Sequence, residues 1–91
     1  MTPGPYDRQR AAEDARLAAH RRALTKSLAG LREDLASSAA ALAEIEETLA
    51  GTFELMARTM PHHAERLREL AKAAREYAVV ERDRAREYRG G

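Results

Sequence analysis

Residues 17–56 read LAAHRRALTKSLAGLREDLASSAAALAEIEETLAGTFELM, and their spacing decides the fold. Leu17, Leu24, Leu28, Leu31, Leu35, Leu42, Ile45, Leu49 and Met56 recur at steps of three and four, or of seven, the rhythm that holds side chains on one seam of a helix. With Leu24 at heptad position d, the a positions are Leu28, Leu35, Leu42, Leu49 and Met56. Leu17, Leu31 and Ile45 are further d positions, and Ser38 and Thr52 are polar d positions. This pattern predicts a long helix whose apolar seam seeks a partner.

Composition supports an all-α class. Of the 40 hydrophobic residues in 91, 20 are alanine, which favours helix but buries little area. A chain this small has a thin core, so the leucine seam implies assembly as a dimer or larger helical bundle. The net charge of +1 hides three blocks. Residues 1–32 hold seven bases and three acids; residues 33–57 hold six acids and no base; residues 58–91 hold nine bases and six acids. Blocks of opposite sign favour laying one stretch on another, by folding back or by staggered association.

The expected architecture is a two-helix antiparallel hairpin, coiled-coil-like, with a long first helix. Pro3, Gly4 and Pro5 make residues 1–5 a disordered N-terminus, with Pro5 suited to a first helical position, the first helix beginning near Pro5 or Tyr6, and Asp7 in its first turn. The long heptad helix is expected over 6–58, its first part a basic arm poor in bulky residues. A turn is expected at 59–61, where Thr59 would cap the helical turn begun by Pro61, with Gly51 as the alternative break. A second helix over 62–89 presents Ala64, Leu67, Ala71, Ala74 and Ala78, with Leu70 and Tyr77 beside them, as its packing face. Its last residues, from Glu81, are almost all charged and read as a frayed end, with a tail at 90–91.

Ala29, Ala36, Ala43, Ala50 and Ala57 fall at b in five successive heptads, with Ala39 and Phe53 at e. Two readings stay open: a second packing stripe that lets another backbone approach closely, or alanines chosen for helix propensity alone. At 1.5 Å per residue the first helix is ~80 Å long and the second ~42 Å. The N-terminal part of the first helix therefore has no cover within the chain, and Leu17, Leu24 and Leu28 must meet another chain or stay in water.

Little in the chain points to chemistry. The absence of cysteine excludes disulfides, thiolate nucleophiles and cysteine-ligated metals. His62 and His63 are adjacent and diverge on a helix, and neither Glu-x-x-His nor His-x-x-x-His occurs, so no metal site, cofactor or small-molecule substrate is expected. Ser27, Ser37 and Ser38 have no activating base within a turn, which argues against an enzyme. The N-terminus has neither the basic start nor the apolar run of a secretory signal, and no transmembrane segment is present, so the reading is cytoplasmic.

The functional expectation is a non-enzymatic oligomerisation or protein-interaction module: a scaffold, adaptor or regulatory subunit, meeting itself or a helical partner through the leucine seam. Two alternatives rest on other residues. Arg8, Arg10, Arg16, Arg21, Arg22 and Lys26 ahead of a leucine heptad superficially resemble the basic-region leucine zippers, which implies binding to nucleic acid or another anionic surface. The chain has no asparagine for base reading. Tyr77-Ala78-Val79-Val80-Glu81 resembles the Tyr-x-x-x-Asp/Glu export signal of small helical-hairpin proteins of type VII secretion, whose Trp-x-Gly turn is missing here.

Overall fold

A computed structural model describes residues 4–90, and these are helical almost throughout. Residues 1–3 of the expected disordered N-terminus and Gly91 of the expected tail lie outside the described residues. Helix α1 spans Pro5–Thr59, a 3-10 turn spans Pro61–His63, and helix α2 spans Ala64–Gly90. The described residues contain no strand. The chain is all-α. It falls into two units with their boundary between Leu31 and Arg32.

In the first unit, helix α1 starts on the Gly4 carbonyl, which accepts from the Asp7 and Arg8 backbone N–H groups at 3.1 and 3.2 Å. Pro5, expected at the boundary between the disordered N-terminus and the helix, is its first residue, because a proline ring presets the helical φ and the missing N–H is not needed there. Asp7 lies in the first turn, where its negative charge meets the positive end of the helix dipole. This unit has no buried residue among those described.

The second unit contains the core. Ala36, Ala39, Ala43, Ala50 and Ala57 of α1 are buried, as are Leu67, Ala71, Ala74, Ala78 and Ala85 of α2. Ala36 and Ala39 form one cluster with Ala85, against which Ala40 and Tyr88 pack. Ala50 forms another with Ala71 and Ala74, joined by Phe53. Residues low in α1 thus meet residues high in α2, and the two segments run in opposite directions. Three ion pairs repeat that order: Arg75 with Glu54 at 2.5 Å, Arg82 with Glu47 at 2.7 Å and Arg89 with Glu33 at 3.3 Å.

The interruption at Met60 follows from Pro61. Met60 takes φ −126° and ψ 76°, outside the helical region, as the residue before a proline is driven to do. Its N–H still donates to the Met56 carbonyl at 2.9 Å, closing the last turn of α1. Thr59, expected to cap the next helical turn, instead donates its hydroxyl to the Met56 carbonyl at 3.2 Å. Gly51 is helical and does not break α1.

At the other end, the stretch expected to fray is helical through Gly90, which was expected in the tail. Ala85 is buried and Tyr88 half-buried there, while Arg82 and Arg89 reach across to Glu47 and Glu33. The charge density that suggested a solvated end supplies cross-helix partners.

Candidate interaction surface

Helix α1 carries two apolar stripes in the second unit, and they have opposite fates. The b and e positions from Ala36 to Ala57 are the buried stripe. In the sequence 36, 39, 43, 46, 50, 53, 57 the steps alternate three and four, so this line is a heptad seam in its own right. It faces a matching line on α2: Leu67, Ala71, Ala74, Ala78, Glu81, Ala85 and Tyr88. Alanine removes the bulk that would hold two helix backbones apart, and the larger side chains, Phe53 and Tyr88, settle against alanines.

The a and d stripe lies one residue earlier in each heptad, hence about 100° around the helix. Leu35, Leu42, Ile45, Leu49 and Met56 stand there 38–61% exposed, whereas Ala36, Ala43 and Ala50 are 0% exposed. Ala41, Glu44, Ile45, Thr48, Leu49 and Thr52 line a shallow depression on this outer side. Its chemistry is apolar contact with a small polar margin. Ser38 and Thr52, the polar d positions, are exposed, and Thr52 returns its hydroxyl to the Thr48 carbonyl at 3.1 Å.

In the first unit, Leu17, Leu24, Leu28 and Leu31 are all more than half exposed. The bases Arg8, Arg10, Arg16, Arg21, Arg22 and Lys26 are exposed too, and among the described residues no side-chain ion pair engages them. In the second unit Met56, Leu49, Leu42 and Leu35 retain somewhat more cover than Ile45.

The residues expected to pack from α2 divide. Leu67, Ala71 and Ala74 are buried, Ala64 and Leu70 are half-buried, and Tyr77 is 64% exposed. Tyr77 falls beside the seam instead of on it, because the buried line steps from Ala74 to Ala78. Glu81, four residues on, is half-buried and accepts from Arg84 at 3.0 Å. Ala85 and Tyr88 complete the packed line beyond the residues expected to carry it. Their signal was present in the spacing from Ala78, but the surrounding charges masked it.

Electrostatics reinforce the inner contact. Arg82 donates through Nε and Nη2 to the two Glu47 carboxylate oxygens at 3.0 and 2.7 Å, a bidentate fork. Those hydrogen bonds, and then the attraction of the Glu47 charge, hold the Arg82 pKa above its ordinary value. Among the described residues there is no group of three or more histidine or acidic side chains able to hold a metal, and no helix is long and apolar enough to cross a membrane. No family model, curated protein or solved structure matches this chain.

Proposed function

We propose that the chain is a non-enzymatic helical hairpin that works by association, as a scaffold, adaptor or regulatory subunit. The leucine seam of α1 is its contact face. One observation supports the reading: the buried residues shared by α1 and α2 are nearly all alanines, and Leu35, Leu42, Ile45, Leu49 and Met56 remain exposed on the other stripe. Burying apolar surface is worth roughly 25 cal/mol per Å², so a row of leucines left in water is a standing drive to associate. The alanine core buries far less per residue, and a second layer supplies what a small domain lacks.

The test is solution mass by light scattering across concentration, with the Leu35→Asp/Leu42→Asp double variant beside the parent. The parent should exceed one chain's mass and the variant should return to it, with helix content retained. A parent that stays at one chain's mass up to high concentration, or a variant whose mass matches the parent's, sinks the reading.

A further inference from the structure

We infer that the occupant of the leucine seam is a second copy of this chain, laid antiparallel so that Leu17–Leu31 of each copy covers Leu42–Met56 of the other. This rests on the association reading and adds its direction and register. Helix α1 keeps one heptad frame from its first turn to its last, and the frame places Asp14 and Arg21 at a positions and Thr59 at d. These polar residues, with Ser38 and Thr52, restrict how two seams can align.

In an antiparallel pair each a residue shares a layer with a d residue of the partner. Setting Leu28 against Ile45 of the second copy brings Leu31 to Leu42, Leu24 to Leu49 and Leu17 to Met56. The same alignment sets Arg21 against Thr52 and Asp14 against Thr59, polar with polar. Only Leu35 against Ser38, beside the twofold axis, is mixed. Sliding by a heptad in either direction breaks this matching: one way places Leu28 on Thr52, the other places Leu28 on Ser38 and Arg21 on Ile45. A parallel, in-register pair would instead stack Arg21 on Arg21 and Asp14 on Asp14 at the seam, like charge on like.

Charge selects the same direction. Residues 16–32 hold five bases and no acid, and residues 41–57 hold four acids and no base. The proposed register lays these stretches on each other, twice per dimer. Counting α2 does not undo it: residues 1–31 carry net +3 and residues 32–91 net −2. Glu47 and Glu54 already hold Arg82 and Arg75, and Glu46 lies on the inner stripe, which leaves Glu44, exposed on the rim of the outer depression, to meet the incoming bases. A parallel pair would oppose basic to basic and acidic to acidic along the whole seam.

The experiment uses the absence of cysteine, which lets one introduced thiol report alone. Ser27→Cys and Thr48→Cys flank the seam on exposed positions and leave every leucine in place. Each variant is spin-labelled, its mass checked against the parent's, and the distance between labels on the two copies measured by pulsed electron resonance. The proposed register places residue 27 level with residue 46 of the second copy and residue 48 level with residue 25. Axial separations of about 28 and 35 Å follow from 1.5 Å per residue. Those two distances are the expected result. Short distances for both labels mean a parallel pair, and other long values mean another register or a different pairing face; each overturns this inference and leaves association standing. A parent at one chain's mass overturns both.

Discussion

Two stripes of α1, separated by one residue in every heptad, behave as opposites. From Ala36 to Ala57 the alanine stripe at b and e is covered by α2, while the leucine stripe at a and d stands in solvent. Hydropathy alone would put leucine inside. The difference teaches that, in this chain, internal packing is decided by how closely two backbones approach, and the stronger apolar stripe is kept for the outside. A small side chain buries little area itself but draws the whole partner helix, with its methylenes and backbone, against it. Phe53 and Tyr88 can then lie over alanines without clashing.

The contrast breaks most readily at Ala43, which is fully buried on the inner stripe. Ala43→Leu adds bulk where no room is left and should cost about 1–3 kcal/mol of stability. Leu42→Ala, one residue away on the outer stripe, should cost less in dilute solution and weaken association instead. Urea unfolding followed by circular dichroism at low concentration, with mass measured separately, checks both. A larger stability loss at Leu42 than at Ala43 would reverse the assignment of inner and outer faces.

Gly51 sharpens it next. The glycine is half-buried within α1, yet a Cβ built there meets nothing within 4 Å. Gly51→Ala should therefore gain about 1 kcal/mol from helix propensity, read as a raised midpoint in the same unfolding experiment. A loss would mean that the partner helix approaches this position more closely than the open space around it indicates.

The smallest effect belongs to the rim of the inner contact. Glu47→Gln removes the charge that Arg82 grips, and should lower the thermal midpoint slightly at low salt and hardly at all at high salt, since exposed pairs are screened. The raised Arg82 pKa fixes the sign of the pH dependence. A base held above its ordinary pKa contributes fully below its unfolded value and loses the contribution only as pH climbs through the folded one. This guanidinium thus brings no stability change around neutral pH. A large salt-independent loss in Glu47→Gln would make the pair structural and weaken the claim that alanine contact dominates.

Much of the fold was legible. Heptad spacing and the scarcity of β-branched and aromatic residues point to helix, and the structure is helical almost throughout. Two things were hard to read. The stretch from Glu81 looked solvated because its residues are charged, but Ala85 and Tyr88 continue the buried line at steps of seven and three from Ala78, and the arginines reach acids 35 and 56 positions away in sequence. Such pairing is invisible to local composition. Tyr77 reads with the packing face because it lies beside it, whereas one step around the helix from buried Ala78 is enough to expose it.

The candidate face was legible as a pattern and not as a surface. From the amino-acid order alone come helical conformation, the a and d register of Leu17 to Met56, and the interruption at Met60 that Pro61 imposes, because each depends on local dihedral preference and period. Which stripe turns inward depended on the tertiary structure. Alanine at b serves helix propensity and close packing equally, and only the arrival of α2 on that side separates the two roles and leaves the leucines uncovered.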